Sequence, residues 1–541
     1  MMVVFCILYV IIMLALLNII EPVNSKPCGI DFLKIPKRTL LKQEGENYRL
    51  LKEDKWENLR IHMDFSFIEN NIGKFDKKDL IDLKEKIMPK TQEVFQNLLK
   101  VKRIQNKLKL NTHNCDSYQI PEKYQSEGID ADLIIFVLID ETGFFLQNKI
   151  EAGAIHCLQH EETRRPIAGY IQFKPQLNVN NSTALDYMVW LAVHEVSHIL
   201  VINNALYEDY INPETLEPLG IDNVIGKKLM ESGTKMNYIK SPKVLEKAKK
   251  HFNCNHMDGV PLEYNGGAGT AGAHWSKKYM NTDYMIGDSY GENLISEITL
   301  GLFEDSGWYK VDYNLSNLFL WGKNSGCGFF DKGKKCIENS SDKTKKEEED
   351  SLVPKKFSDI VNKGKHSSGY ITDFKNEFCT NFNYPVCSTS NIFRGICKVR
   401  KFPYKLTKNE RLFSNPHLGG ADSLTDKCPI AIEDKGNQSY YGGSCRVGNK
   451  DNLMMKEIEK ICPECACFMS NLSDGNLMQR LAAVKNTLLN KNKNKFKTEN
   501  IFASKDSTKI ATESAKKTNM RKDQKSLNPE KEEKEDNSKY Y

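Results

Sequence analysis

A chain of 541 residues is long enough for two or three domains, and 40% hydrophobic with 10% aromatic content supplies ordinary cores. The formal charge of +6 does not mark a nucleic-acid binder: residues 491–541 hold 14 Lys/Arg against 9 Asp/Glu, and the rest of the chain is almost neutral. That tail mixes both signs and has almost no aromatic platform for stacking bases, so nucleic acid is not expected as a partner.

Met1 to Ile20 is nearly all apolar and runs into Glu21-Pro22-Val23-Asn24-Ser25, where Val23 and Ser25 offer small residues for cleavage. Residues 1–25 read as a secretory signal, which implies a secreted or cell-surface protein, with membrane attachment only if that segment stays uncleaved. No second apolar span follows, and the polar C-terminus lacks the hydrophobic tail that directs a glycolipid anchor. Of 15 cysteines Cys6 lies in the signal, leaving Cys28, Cys115, Cys157, Cys254 and ten more between Cys327 and Cys467. Disulfides are the expected use in that compartment. A metal site at Cys462, Cys465 and Cys467 is the competing reading, but no matching pair lies nearby. Sequons at Asn180, Asn181, Asn314, Asn339, Asn437 and Asn471 permit glycosylation.

In chain order, Leu59–Phe65 reads as a strand and Lys90–Ile104 as a helix with Val94, Leu98 and Val101 on one face. The β-branched run Asp132–Ile139 reads as a fully buried central strand, and Ile167–Phe173 alternates as another. Between them His160-Glu161-Glu162-Thr163 begins like a zinc motif, but Arg164 stands where a second histidine belongs, and the segment reads as solvated loop. A buried helix follows, with Ser182 or Thr183 as the expected N-cap and the apolar run Ala184–Val193 leading into His194-Glu195-Val196-Ser197-His198. Histidines four apart stand one above the other on a helical face, so both imidazoles reach one ion while Glu195 polarises its water. The chemistry implied is metal-assisted peptide hydrolysis.

A second helix is expected to start at the capping-box spacing Ser289-Tyr-Gly-Glu292, to bury Leu294, Ile295, Ile298 and Leu302 beneath the zinc site, and to stop at Gly307. Beyond Trp321 come short runs, turns and dense cysteine, interrupted by a charged loop from Asp342 to Lys365. The polar tail after 470, low in complexity from Lys491, cannot bury enough apolar surface to order itself. A catalytic zinc needs a third protein ligand and an open position. His251, His256, His274, His366 and His417 all lie downstream, and spacing alone leaves them unranked.

Val260-Pro-Leu-Glu-Tyr-Asn-Gly-Gly-Ala-Gly-Thr-Ala-Gly-Ala-His274-Trp275, then Tyr284-Met285, then Ile295–Tyr309 resemble the leishmanolysin family of metzincin peptidases, in which an insertion separates the zinc helix from a His-Trp pair and a methionine turn. Arg165-Pro-Ile-Ala-Gly-Tyr upstream and Trp321–Cys327 downstream extend the resemblance, which runs from about Cys28 to Cys467 in the family's order. It implies an α+β fold: a metzincin-like zincin catalytic domain with a disulfide-rich C-terminal domain. It implies that His194, His198 and His274 bind one zinc ion, that Glu195 is the general base, and that Met285 forms the apolar floor. Cys28-Gly-Ile-Asp31 resembles the family's propeptide motif, whose thiolate occupies the open zinc position, although the neighbouring histidines are absent here. Structural pairing of Cys28 in a disulfide is the competing expectation. The residues agree with a third ligand at His274, since a glycine-rich stretch can return the chain to a buried ion, whereas His251 and His256 sit in a polar stretch around Cys254 that reads as surface loop.

The expected organisation is a signal over 1–25, an N-terminal region over 26–110 that can include a propeptide, a catalytic region over 111–320 with an insertion at 203–273, a cysteine-rich domain over 321–470 and a disordered tail over 471–541. The expected function is a monomeric, secreted or surface zinc endopeptidase acting on proteins or peptides. One departure favours a catalytically weakened adhesin: Val201 stands three residues after His198 where the family usually has glycine, and a β-branched residue cannot readily take a left-handed helix exit. The helix is then expected to run on to Asn203 or Asn204. Asp283, in place of a family residue of another length, is a milder departure. A different secreted zinc hydrolase, sparing proteins, is the other alternative.

Overall fold

The computed structural model describes residues 26–30, 33, 38–43, 55–229, 235–264, 270–288, 293–317, 319 and 321–331, together with short stretches between 385 and 433. The segments read from sequence as a signal, a charged loop and a disordered tail, and the Cys462–Cys467 cluster, lie outside the described residues.

Six strands form the main sheet: β1 (Lys26–Cys28), β2 (Leu40–Leu41), β3 (Ile61–Asp64), β4 (Leu133–Ile139), β5 (Ile150–His160) and β6 (Pro166–Phe173). Their order is β1-β5-β6-β4-β3, and β2 also pairs with β5. Strands β3, β4 and β6 run parallel, β5 runs against β6, and both short N-terminal strands lie parallel to β5 on its outer edge. The continuous apolar run predicted β4 because its two faces meet two different cores. Leu133, Ile135, Val137 and Ile139 face one, and Ile134, Phe136 and Leu138 the other. A Cys115–Cys157 disulfide lies on this second side.

On the first face lie α1 (Met88–Leu98) and α2 (Ser182–Leu200), followed along the chain by α3 (Pro242–Phe252), the short α4 (Lys277–Met280) and α5 (Glu297–Asp305). Helix α2 sits so close to β6 that a Cβ at Gly169 would come within 2.7 Å of Ile199 Cγ2 and 2.8 Å of Ile155 O. That close approach accounts for the glycine in Arg165-Pro-Ile-Ala-Gly-Tyr. Trp321, Cys428 and Ile430 belong to the same buried core as α2, so described residues beyond 320 pack on the residues before them. A Cys254–Cys327 disulfide joins the two.

Several local expectations change. The helix expected over Lys90–Ile104 ends at Leu98, because Leu99–Val101 alternate buried and exposed and pair as a strand with Lys310–Val311 and Glu57–Asn58. The N-cap of α2 is Asn181, whose Oδ1 accepts from Ala184 N at 2.8 Å, and not Ser182 or Thr183. The second helix starts later than expected: Ser296 caps it by accepting from Thr299 N, and residues 289–292 lie outside the described residues. Gly307, at φ +78°, does follow its end. His160 is not in a solvated loop but is the buried last residue of β5, with the turn beginning at Glu161. The long strand β5 itself escaped the sequence reading.

His156 on β5 is buried, its Nδ1 meets no hydrogen-bond partner, and burial, with Arg38 nearby, lowers its pKa from 6.5 to about 4. The folded state therefore keeps this ring neutral while the unfolded chain takes up a proton. Its contribution is intact above about pH 6.5 and is lost as the pH falls toward 4, with a slope of at most about 1.4 kcal/mol per pH unit. His156→Leu should accordingly lose less stability than the wild type between pH 7 and pH 5 in urea unfolding. Identical losses in the two proteins would remove His156 as a source of acid sensitivity.

Candidate metal centre

Helix α2 is apolar on nearly every face because it is buried on nearly every face, and its last two turns carry His194, Glu195 and His198, each at most 2% exposed. The i, i+4 spacing brings the rings of His194 and His198 to 4.8 Å between centroids. His274 arrives from the loop before α4 and stands 5.0 Å and 4.8 Å from those two rings. The three Nε2 atoms form a near-equilateral triangle, with 194–198 and 194–274 at 3.1 Å and 198–274 at 3.2 Å.

Each ring is turned to that common point by a backbone carbonyl behind it. His194 Nδ1 lies 2.8 Å from Tyr284 O, His198 Nδ1 2.6 Å from Ile202 O and His274 Nδ1 2.9 Å from Thr270 O. A carbonyl cannot donate, so each Nδ1 carries the proton and each Nε2 presents a bare lone pair. Burial holds all three imidazoles neutral, pushing His194 down to about 4, His274 to about 3 and His198 well below its ordinary range. Three converging lone pairs repel one another unless a cation lies between them. Tetrahedral nitrogen ligands about 2.0–2.1 Å from zinc stand about 3.3 Å apart, so the donor set and its spacing fit that ion.

Cys28 completes the group. Its buried thiol lies 3.3 Å from His198 Nε2 and donates toward Glu195 Oε2 at 3.6 Å, and the four candidate ligand atoms fall within 4.8 Å of one another. No disulfide holds it, contrary to the competing expectation. β1 delivers the thiol by pairing Cys28 with Ala152 of β5, and Gly29 N donates to Ala152 O at 2.7 Å. Burial pushes the Glu195 carboxyl well above its ordinary value, while the Cys28 thiol and the Ala154 amide pull it back down.

The helix exit differs from expectation. Helix α2 stops at Leu200 and does not run on to Asn203, because Val201 leaves it at φ −153° and ψ −44°, outside both the right-handed helical and the left-handed regions. Ile202 N then reaches back to Ser197 O at 3.0 Å, which aims the Ile202 carbonyl at His198.

Met285 is fully buried, and its carbonyl accepts from Trp275 N at 2.9 Å. The residue before it does more than the sequence suggested: Tyr284 orients His194 through its carbonyl, and its hydroxyl lies 3.0 Å from Ser197 Oγ, one turn along α2. Asp283, fully buried, accepts from Met285 N at 2.9 Å, Ser296 Oγ at 2.5 Å and Thr299 Oγ1 at 2.7 Å. Thr299 Oγ1 in turn accepts from Trp275 Nε1 at 2.8 Å. Burial raises the Asp283 carboxyl to about 6 against those hydrogen bonds. Sequence reading missed this network, because its partners Ser296 and Thr299 lie 13 and 16 residues away from Asp283.

Of the other histidines, His251 lies in α3 rather than in a surface loop, with Nε2 donating to Trp321 O at 2.8 Å and its ring 4.8 Å from that of Phe319. His256 is exposed, and His417 Nδ1 donates to Phe402 O at 3.1 Å. His366 lies outside the described residues.

A family model described as Leishmanolysin matches residues 70–346 and 359–501. The chain is 31% identical over 231 residues to a leishmanolysin-like peptidase of Drosophila melanogaster, covering 38% of this chain and 34% of that one. It is 25% identical over 350 residues to a leishmanolysin homolog of Crithidia fasciculata, covering 64% and 46%, and 24% identical over 376 residues to a leishmanolysin of Leishmania tropica, covering 68% and 48%. The chain thus spans from a third to about half the length of these relatives. With the family model matching most of its residues, the chain belongs to the leishmanolysin family.

Proposed function

We propose that this chain is a secreted or cell-surface zinc metalloendopeptidase that cleaves peptide bonds in proteins or peptides, with His194, His198 and His274 as metal ligands and Glu195 as general base. The observation that carries the reading is the triangle of Nε2 atoms, each ring locked by its own carbonyl and all three aimed at one point. The two disulfides among the described residues support an oxidising compartment. Met285 is the apolar floor, sealed in the turn that Asp283 ties together. A weakened, adhesive relative has less support than the sequence alone offers it, because Val201 ends the helix without left-handed strain.

Zinc held by three neutral imidazoles keeps its full positive charge, which would acidify a water and polarise the scissile carbonyl. Glu195 moves the proton: its carboxylate takes one from the attacking water and gives it to the leaving amine nitrogen as the C–N bond breaks. Substrate is expected to lie extended along the outer edge of β5, the edge that β1 covers here, so that main-chain hydrogen bonds bring a carbonyl to the ion. Cys28 then serves as a latch: its thiolate takes the open ligand position and its strand takes the substrate's edge.

Glu195→Ala should keep roughly one zinc per chain and lose at least about 10²-fold in casein hydrolysis, because it removes proton transfer and spares the ligands. His274→Ala should purify with little zinc and no activity, whereas His256→Ala keeps both. Elemental analysis after dialysis decides the matter: full zinc in His274→Ala would sink the ligand assignment. For the latch, Cys28→Ala secreted without proteolytic trimming should be at least about tenfold more active than untrimmed wild type, since the competent state is no longer masked. Equal activity of the two untrimmed proteins would show that Cys28 blocks nothing.

A further inference from the structure

Two of the three imidazoles share one helix, but His274 stands on a loop and needs other anchors. Glu263 supplies the local ones. Its N–H donates to His274 O at 2.8 Å, its carbonyl accepts from Gly272 N at 2.8 Å, and its carboxylate accepts from Lys277 N at 3.1 Å. The start of α4 is unusual for its burial: Lys277 and Lys278, three and four residues past His274, are only 2% and 3% exposed. Lysine is almost never so buried unless its ammonium is paired. Lys277 Nζ lies 2.5 Å from Asp288 and 2.6 Å from Asp422, and Lys278 Nζ lies 2.9 Å from Asp426. Asp426 also accepts from the hydroxyl of Tyr264, next to Glu263.

Asp422 and Asp426 flank a short turn, Ser423–Thr425, about 145 residues further along the chain. Between them Leu424 reaches the same place. A Cβ built on Gly287 would lie 3.1 Å from Thr270 Cγ2 and 3.5 Å from Leu424 Cδ1, so Leu424 and the residue whose carbonyl orients His274 both pack around this bare glycine, one residue before Asp288. Burial alone would lower the Lys277 pKa, but Asp288 and Asp422 hold it above its ordinary value, so the cation is retained inside the core.

We propose that Asp422 and Asp426 are positioning residues for the third metal ligand: the turn they flank clamps Lys277 and Lys278, and so holds His274 where its Nε2 meets the other two. The inference rests on His274 being a ligand. A buried ion pair adds little net stability over apolar packing of the same shape, but its short directional bonds fix geometry, and geometry is what a loop-borne ligand lacks. The cysteine-rich region thereby becomes part of the metal centre rather than an appendage to it.

The test uses the full chain loaded with zinc and follows transfer of the metal to a chromophoric chelator, alongside amide hydrogen exchange over residues 182–200 and 270–280. Asp422→Asn/Asp426→Asn should release zinc at least about tenfold faster and lose protection at 270–280, with helix 182–200 as protected as in wild type. Should the uncompensated lysines prevent folding, Lys278→Met/Asp426→Asn removes both charges of one pair and leaves the Tyr264 hydroxyl an acceptor. It should keep the wild-type melting temperature yet still release zinc several-fold faster, a split that a purely stabilising role would not give. Wild-type release rates and protection in these variants would overturn the clamp. His274→Ala run in parallel separates the two ideas: if it holds zinc as the wild type does, the ligand reading itself fails, and the clamp falls with it.

Discussion

Three lone pairs must meet at one point, and almost every local feature around them follows from that demand. Imidazoles are free to flip and to choose either nitrogen, so convergence needs a fixed acceptor behind each ring. The chain provides three backbone carbonyls, from Ile202, Tyr284 and Thr270, which no single substitution can delete. Each comes from a separate piece of irregular chain: the exit of α2, the methionine turn and the loop before His274. Helix α2 therefore has to stop where it does, since continuing it would bury the Ile202 carbonyl in an intrahelical bond and leave His198 unsteered.

Those irregular pieces are rigid because side chains inside them are fully bonded. Asp283 is the clearest case. A buried carboxylate is costly, and this one is satisfied by a backbone amide and two hydroxyls, one of which also receives the Trp275 indole. One acid thus joins the methionine turn, the start of α5 and the residue after His274. Tyr284 closes the circuit by touching α2 twice, at His194 and at Ser197.

Much of this was legible in the sequence, and the pattern of what was not is physical. The continuous run Leu133–Ile139 and the apolar approach to His194 announced their burial directly, because burial on both faces leaves no polar position to dilute the signal. The long strand β5 was missed because its buried positions include His156, Gln159 and His160, polar residues whose burial depends on neighbours remote in sequence. The N-cap slipped by one because Asn181, Ser182 and Thr183 are all competent caps, and only packing selects among them. Val201 misled for a different reason: a helix can also be left through a residue of negative φ, and this one does so with the Ile202 carbonyl turned to His198. His274 could be reached only through the family's order of motifs, since nothing in its spacing encodes an anchor as remote in the chain as Asp422.

If Cys28 is the latch proposed above, the arrangement at β5 would let one short segment silence the site. An extended substrate needs two things at once: a free edge on β5 for its main chain, and an open position beside the three imidazoles for its carbonyl. β1 takes the edge through Lys26 and Cys28, and the Cys28 thiol reaches the imidazoles from that same strand. Since side chains alternate across a strand, a one-residue slip from the Cys28–Ala152 pairing would turn the sulfur to the other face, so the edge contacts set the thiol's aim. A second contact further along, where Leu40 and Leu41 pair with Gln159 and His160 and Arg38 meets the buried Asp209, holds the same segment at the far end of β5. Two weak attachments joined by a short tether act at high effective concentration, so each keeps the other in place. Release by cutting between or beyond them would lower both affinities together, which is the behaviour a latch needs and a single thiol could not provide.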